Sequence, residues 1–187
     1  MNIYFFFKLL LISYFTIFQL SAEENMSSYI TKNINHGSQT YGAEVVEEIQ
    51  ANGFVKLNGT TVTTYLQVNG RLEAENSQIE KMQVNGQATI HHCLIKQKSI
   101  ICGALIAKNS TFTDELSISS EKVTLDSCSL TSLHILKVGG YFGVQIVELK
   151  GSTQINGPII FQSGNGEVIA DPNCEIIGGV IGGKIRK

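Results

Sequence analysis

A short tandem repeat constrains the fold of this chain more than any other feature. The dipeptide Asn-Gly or a close equivalent recurs at Asn52-Gly53, Asn69-Gly70, Asn85-Gly86 and Cys102-Gly103, so the glycines are 17, 16 and 17 residues apart. A period this short cannot hold a helix pair or a propeller blade. It suits one rung of a β-solenoid, which consists of three short strands and their corners. The repeat therefore predicts an all-β chain folded as a parallel β-helix.

The apolar residues support the same fold, because they fall into columns when the chain is divided at this period. Five regular rungs occupy 54–70, 71–86, 87–103, 104–120 and 121–137. Within a rung the apolar residues form pairs two positions apart, such as Val55 with Leu57, which is typical of a strand that buries one face. Two looser rungs follow at 147–161 and 168–180. We expect about seven rungs of a single-stranded solenoid, and the uneven gaps between apolar positions favour the right-handed form.

The corners carry a sequence signal of their own. Residue types that tolerate a left-handed backbone stand three positions before the third apolar column. This set contains Gly59, Asn76, His92, Asn109, Ser127, Ser152 and Asn173. The next residue is small in every rung, and these residues are Thr60, Ser77, Cys93, Ser110, Cys128, Thr153 and Cys174. The alignment therefore predicts a vertical column of small side chains at one corner.

That column decides how the four cysteines are interpreted. Cys93 and Cys128 are two rungs apart, and so are Cys128 and Cys174, which separates each pair by about 9–10 Å. A disulfide requires Cα atoms within about 7 Å of each other, and Cys102 lies at a different corner. We expect no disulfide, with the cysteines packing as small apolar side chains.

The first 22 residues differ in kind from the rest of the chain. A single cation, Lys8, precedes the apolar stretch 9–20, and the small residue Ala22 comes directly before the acidic pair Glu23-Glu24. This pattern predicts a secretory signal peptide at 1–22 that is cleaved after Ala22, and the alternative is a retained N-terminal anchor.

The rest of the chain divides into two predicted parts. Residues 23–50 are largely polar and are expected to form a lead-in or cap, with Val45, Val46 and Ile49 available to pack as a partial first rung. Residues 51–187 are expected to form the solenoid domain.

Composition and spacing argue against several classes of function. The net charge of −2 does not suit a nucleic-acid partner, which requires a concentrated basic surface. Asp114, Asp126 and Asp171 are scattered over different rungs, so no row of carboxylates forms for Ca²⁺ binding or acid–base catalysis. His91 is expected to belong to a solvated ladder with Glu75, Lys108 and Asp126 rather than to a metal site. We predict no catalytic residue, no metal site and no cofactor.

One irregular segment is the candidate binding site. Residues 138–143 contain three glycines with Tyr141 and Phe142 and separate the fifth rung from the sixth. Irregular loops on regular scaffolds often carry function, although a tolerated insertion is the simpler explanation. Because Phe112 and Phe161 fall in core columns, Tyr141 and Phe142 are the aromatic residues predicted to be available to a carbohydrate ligand.

The stacked rungs resemble those of a known family. The pattern x-Val-Asn-Gly-x-Leu-x-Ala-x-Asn-Ser at 68–77, echoed at 84–90 and 104–110, is similar to that of the bactofilin-type polymer-forming β-helix proteins of bacteria. The resemblance covers about residues 50 to 183. It implies a compact right-handed β-helix of triangular section, without enzymatic activity, that polymerises end to end through its terminal rungs without nucleotide. Those scaffolds are cytoplasmic, whereas this chain carries a predicted export signal.

These observations lead to one expected function and one alternative. The expected function is that of a non-enzymatic, exported structural or scaffold protein of the bacterial cell envelope, which self-associates through the ends of its solenoid. The alternative is a carbohydrate-binding β-helix protein or adhesin, with carbohydrate modification less favoured. The expected partners are a second copy or a cell-envelope glycan, in the periplasm, on the cell surface or outside the cell. A membrane would be contacted only through an uncleaved signal segment.

Overall fold

The structure, a computed structural model, describes the backbone of residues 33–186 and the side chains from residue 36 onward. The predicted signal peptide at 1–22 lies outside these residues. Within the described range the only regular secondary structure is β-strand, and no helix there could cross a membrane. The strands are β1 Asn33–Tyr41, β2 Val45–Asn58, β3 Thr61–Glu75, β4 Gln78–Ile79, β5 Met82–His91, β6 Leu94–Ile95, β7 Ser99–Lys108, β8 Thr111–Ser119, β9 Lys122–Asp126, β10 Ser129–Leu136, β11 Gln145–Lys150, β12 Gln154–Ile155, β13 Ile159–Phe161, β14 Gly166–Ala170, β15 Glu175–Ile176, β16 Val180–Ile181 and β17 Gly183–Arg186.

The strands stack as the rungs of a β-solenoid, and all their pairings are parallel. One column can be followed by register through the whole stack. Its members are Gln39, Val55, Leu72, Ala88, Leu105, Val123, Val147, Val168 and Ile185. The predicted solenoid is confirmed. It has about nine rungs instead of about seven, with one additional rung at each end.

Because of the first additional rung, the solenoid begins earlier in the chain than the predicted residue 51. β1 pairs residue by residue with 49–57 of β2, so residues 33–41 already belong to the stack. Val46 and Ile49 are at most 1% exposed, which agrees with the partial first rung expected from them. A terminal rung is held by backbone pairing to its one neighbour, so it needs fewer apolar side chains than an interior rung. Gly37 stands opposite Gly53, which shows that the glycine period extends one rung further than the sequence analysis followed it.

The core runs along the axis of the stack as one continuous column of apolar side chains. A typical rung buries residues from three straight segments, namely Leu72 and Ala74, then Ile79, then Met82 and Val84, each at most 3% exposed. Alternate residues in these segments face outward, as the pattern of pairs predicts. No rung can bury its apolar residues alone, so stacking is what creates the core.

The glycine column marks the corner where consecutive rungs approach most closely. Gly53, Gly70, Gly86 and Gly103 have φ angles of 139°, 142°, 139° and 133°. A Cβ atom at any of them would overlap the carbonyl oxygen of the glycine one rung earlier. Only glycine satisfies both the left-handed backbone and this contact, which explains why the 16- or 17-residue period is most visible here.

The asparagines beside these glycines form a ladder on the outer surface. Asn69 Nδ2 donates a hydrogen bond to Asn52 Oδ1 (2.8 Å), and Asn85 Nδ2 donates to Asn69 Oδ1 (2.7 Å). The strands run unbroken through this corner in β2 and β3, so Asn-Gly bends a continuous strand instead of ending it.

The second corner is the one that precedes the third apolar column. Most of its predicted positions have the left-handed backbone. Gly59, Asn76, His92, Asn109 and Ser127 have φ angles of 74°, 50°, 53°, 48° and 54°. The prediction is wrong for the last two rungs. There Gly151 adopts the positive φ (61°) in place of Ser152, and Asn173 does not adopt one. The sixth rung carries an additional residue at this corner, and glycine takes the conformation at a lower cost.

The small residues that follow this corner form a hydrogen-bonded column. Ser110 shows the pattern: its hydroxyl donates to the carbonyl of Lys108 (2.8 Å) and accepts from the backbone N–H of Cys93 one rung earlier (3.1 Å). Ser77 and Thr153 make equivalent contacts with Thr60 and Cys128. Each side chain thus satisfies a buried backbone N–H that the corner would otherwise leave unpaired.

The glycine column generates a stability prediction. Gly70→Ala should destabilise the fold by about 3 kcal/mol or more, because the new Cβ overlaps the Gly53 carbonyl and the backbone stays left-handed. Denaturant unfolding followed by circular dichroism measures the loss. Gly139→Ala is the matched control, since nothing lies within 4 Å of a Cβ atom there. Similar losses in both variants would contradict this account of the corner.

Candidate functional site

The predicted binding loop leaves the stack where the glycine corner would fall. It connects β10 to β11 through 137–144, and Phe142 at its tip is 90% exposed. The Tyr141 hydroxyl donates to the backbone carbonyl of Val144 (3.1 Å), so the Tyr141 ring is held within the loop and is half-buried. Of the two predicted aromatic residues, Phe142 is therefore the one presented to solvent.

The base of this loop is held by its neighbours in the stack. Gln145 occupies the position of a corner glycine, is 1% exposed, and donates from Nε2 to the carbonyls of Ser120 and Leu136 (both 2.9 Å). In the next rung Asn165 Nδ2 donates to the carbonyl of Gly143 (3.3 Å). The loop is thus an anchored projection with a single exposed ring at its tip.

The scattered aspartates are used in local hydrogen bonds. Asp171 accepts from the backbone N–H of Gly151 (2.9 Å), and Asp114 accepts from the N–H of Lys98 (3.2 Å) and of Glu115 (2.7 Å). The described residues contain no group of three or more His, Cys, Asp or Glu side chains that could hold a metal ion.

The histidine pair is divided between two environments. The register confirms the ladder of His91 with Glu75, Lys108 and Asp126, in which Lys108 Nζ lies 3.6 Å from Asp126 Oδ2. His92 occupies the left-handed corner, with its Nε2 3.1 Å from Asn109 Nδ2. Both contacts run along the solenoid surface. His91 and Glu75 also line a small pocket of about 260 Å³, together with Lys56, Leu57, Glu73, Ala74 and Thr89.

A serine–histidine–glutamate cluster on β8 and β10 escaped the sequence analysis. Glu115 accepts a hydrogen bond from Ser117 Oγ (2.8 Å), lies 3.4 Å from His134 Nδ1 and pairs with Lys98 (2.7 Å). The hydrogen bond from Lys98, followed by that from Ser117, lowers the pKa of Glu115 despite the opposing effect of desolvation. In a hydrolytic triad the histidine bridges the serine and the acid. Here the carboxylate is central, so the arrangement suits a surface ion-pair cluster.

The cysteines are unpaired, and three of them lie in the hydrogen-bonded corner column. Cys93 and Cys128 are buried, and their thiols donate to the carbonyls of His91 and Asp126 at 3.2 and 3.3 Å. Burial raises the pKa of Cys93 to about 11 and also raises the pKa of Cys128 and of Cys174. Cys102 is exposed at the outer edge of the glycine corner.

The last rung that the structure describes leaves its outer edges unpaired, and this end of the described solenoid is called the open end. β15, β16 and β17 each pair with the preceding rung, and none of the described residues pairs with their outer edges. Ile177, Ile181 and Ile185 in this last rung are 60%, 55% and 50% exposed. Half of the large apolar side chains that the described chain exposes therefore lie here.

A cavity of about 640 Å³ lies at this open end. Its lining consists of Ala170, Asp171, Pro172, Cys174, Ile176, Ile185 and Arg186. Beside it Glu167 pairs with Arg186 (3.0 Å) and lies 3.9 Å from Lys184 Nζ, so the basic residues of the last strand are partly neutralised from the previous rung. Ile185 lies between these two basic residues and continues a core column to the end of the stack.

A second concave feature is a notch at the corner between the second and third faces. Its lining consists of Thr63, Thr64, Tyr65, Glu80, Lys81 and Gln97, and its volume is about 470 Å³. It was missed in the sequence because the aligned rungs were followed only through their apolar columns, and the lengths of the corners between the columns were not compared.

Comparisons with known proteins place no relative beside this chain: no protein-family model, no curated protein and no solved structure matches it. The function is therefore inferred from the geometry of the described residues.

The corner column predicts an order of thiol reactivity. With a thiol alkylating reagent at pH about 8, Cys102 should react first and Cys174 more slowly, because raised pKa values keep buried thiols protonated. Cys93 and Cys128 should react only after unfolding. Peptide mass spectrometry measures the labelling at each site, with Cys102→Ser as the control that removes the fast reaction. Fast labelling of Cys93 in the folded protein would contradict the predicted order.

Proposed function

We propose that this chain is a non-enzymatic structural protein, exported to the bacterial cell envelope, that associates with a second copy through the open C-terminal end of its solenoid. The observation that carries the proposal is the last rung, which combines unpaired strand edges with three half-exposed isoleucines. An edge with free N–H and C=O groups invites the addition of another strand.

The shape of this end favours a second copy as the occupant. Three edge strands lie around one core, so a partner that pairs with all of them needs the same cross-section. A two-fold axis perpendicular to the solenoid would bring two identical ends together, with their edges pairing antiparallel and Ile185, which ends a core column, facing its counterpart across the junction. One contact would then satisfy the edges and cover the apolar end of both cores.

The charges at this end are compatible with such a contact. Two like ends would bring Lys184 and Arg186 of each copy close together, which by itself is unfavourable. Glu167, only 12% exposed at its side chain, pairs with both of these cations from the rung behind. The repulsion across the junction is therefore reduced within each copy before the two ends meet.

The non-enzymatic part of the proposal is supported by the use of the polar groups. The aspartates cap local backbone N–H groups, His92 contacts its corner neighbour, and Glu115 is surrounded by three donors. These groups stabilise the surface of a scaffold, and the geometry assigns none of them to a nucleophile–base pair.

The open end leads to a prediction about self-association that two matched variants can test. Ile185→Glu should raise the dissociation constant of the self-association about tenfold or more, because it places a charge at the apolar centre of the junction. Light scattering coupled to size-exclusion chromatography of the exported protein measures the mass. Ile106→Glu is the control, since Ile106 is 46% exposed on the side of the solenoid and Ile185 is 50% exposed at its end. A wild-type protein that stays monomeric, or equal effects of both variants, would contradict the proposal.

The export part of the proposal is supported by the sequence alone. If the signal segment is removed after Ala22, the mature chain begins at Glu23. Intact-mass analysis of the protein recovered from periplasmic, surface and culture fractions should find this form outside the cytoplasm. Recovery of the full-length chain in the cytoplasm would overturn this part and leave the self-association unaffected.

A further inference from the structure

We propose that the notch lined by Thr63, Thr64, Tyr65, Glu80, Lys81 and Gln97 binds an uncharged pyranose unit of an oligosaccharide. This inference goes beyond the proposed structural role and does not depend on the open end, which lies several rungs away along the axis. It also differs from the carbohydrate site expected at Tyr141 and Phe142.

The notch arises from corners of unequal length. Three residues separate Val62 from Leu66 in one rung, and three separate Ile95 from Ser99 two rungs later. In the rung between them only Glu80 and Lys81 connect the buried Ile79 to the buried Met82. The short corner forms the floor and the longer corners form the walls, which stand about 9–10 Å apart at the usual strand spacing.

Tyr65 provides a fixed aromatic wall. Its hydroxyl donates to Gln83 Oε1 (2.8 Å), which holds the half-buried ring in place before any ligand binds. An aromatic face of this kind packs against the C–H face of a pyranose, and a ring held in advance loses little conformational entropy on binding. The Lys81 ammonium lies over this ring, 5.9 Å from its centroid, on an exposed side chain, so a sugar that packs on the same face displaces it.

Glu80 provides a fixed acceptor on the floor. Its Oε1 accepts from Gln97 Nε2 (2.9 Å), and its Oε2 lies 3.5 Å from Lys96 Nζ. Each carboxylate oxygen can accept about two hydrogen bonds, so both retain capacity for adjacent hydroxyls of a sugar. The exposed hydroxyls of Thr63 and Thr64 add donors on the Tyr65 side.

The charges around the notch favour an uncharged sugar. Glu47 and Glu48 lie beside the Tyr65 corner in the preceding rung and Glu80 lies on the floor, while Lys81 and Lys96 supply two positive charges. Three carboxylates against two ammonium groups disfavour an acidic sugar. The lining contains one carboxylate, whereas glycoside hydrolysis uses a pair, so the arrangement suits binding without cleavage.

The dimensions of the notch suit one sugar unit of a longer oligosaccharide. A volume of about 470 Å³ lies within the usual range for small-molecule sites. The notch opens to solvent, so neighbouring units of the same oligosaccharide can extend along the surface. A single aromatic contact and a few hydrogen bonds predict weak binding, with a dissociation constant of about 0.1–10 mM.

The test is an NMR titration of the isotope-labelled exported protein with the tetrasaccharides of N-acetylglucosamine, β-linked glucose and α-linked glucose. Binding of at least one should shift the backbone signals of Thr64, Tyr65, Glu80 and Lys81. Tyr65→Ala should weaken this binding about tenfold, while Tyr65→Phe, which keeps the ring, should stay within about threefold of the wild type. Phe54→Ala is the matched control and should bind as the wild type does, because Phe54 is likewise half-buried with a cation over its ring (Arg71, 5.7 Å) but does not line the notch.

Several outcomes would overturn the inference. These are the absence of shifts with all three sugars at about 10 mM, equal losses in Tyr65→Phe and Tyr65→Ala, loss of binding in Phe54→Ala, or tighter binding of a uronic-acid tetrasaccharide. Circular dichroism checks that each variant is folded. Repeating the titration with Ile185→Glu separates the two proposals, because loss of self-association should leave sugar binding unchanged.

Discussion

The close parallel stacking of successive rungs is the constraint on which the rest of the structure depends. At the glycine corner the backbone of one rung contacts the carbonyl of the rung before it, so a side chain at Gly53, Gly70, Gly86 or Gly103 would separate the two. Because the rungs meet this closely, backbone pairing continues along the whole axis and closes one core. Residues that are 16 or 17 positions apart in the chain thereby become direct neighbours, and every column of the surface follows from that.

The same stacking determines which side chains can act together. Ser, Thr and Cys recur in the corner column because a short donor–acceptor side chain there satisfies the backbone N–H of the preceding rung. Cysteine is therefore one of several interchangeable residues at this position, which agrees with the burial and raised pKa of Cys93 and Cys128. Regular rungs produce flat faces, so the distinctive surfaces arise where regularity fails: at the short corner beside Tyr65, at the loop that carries Phe142 and at the unpaired last rung.

The errors of the sequence analysis have a common origin, which is that side-chain patterns weaken where the core is incomplete. β1 was assigned to a polar lead-in because its pairing to β2 uses backbone groups and demands few apolar residues. The last rung was undercounted because Ile185 continues a core column although it is half-exposed. The left-handed corner was misplaced by one residue at Ser152, since an additional residue in that rung shifted the position to Gly151. Among the site residues, the exposure of Phe142 followed from its inserted loop, whereas the half-exposed isoleucines and the Tyr65 notch depend on how side chains of neighbouring rungs meet in the stack.

The sequence by itself determined the repeat, the parallel solenoid, the alternation of buried and exposed residues, and the column that separates Cys93 from Cys128. These features are local or strictly periodic, so spacing and residue type are enough to predict them. Only the tertiary structure decided that the C-terminal end is open and that Tyr65, Glu80 and Gln97 enclose one notch. An end is open only if no other part of the described chain covers it. The notch likewise arises from a difference in length between three corners that stacking brings together. Neither the open end nor the notch can therefore be read from a single stretch of residues.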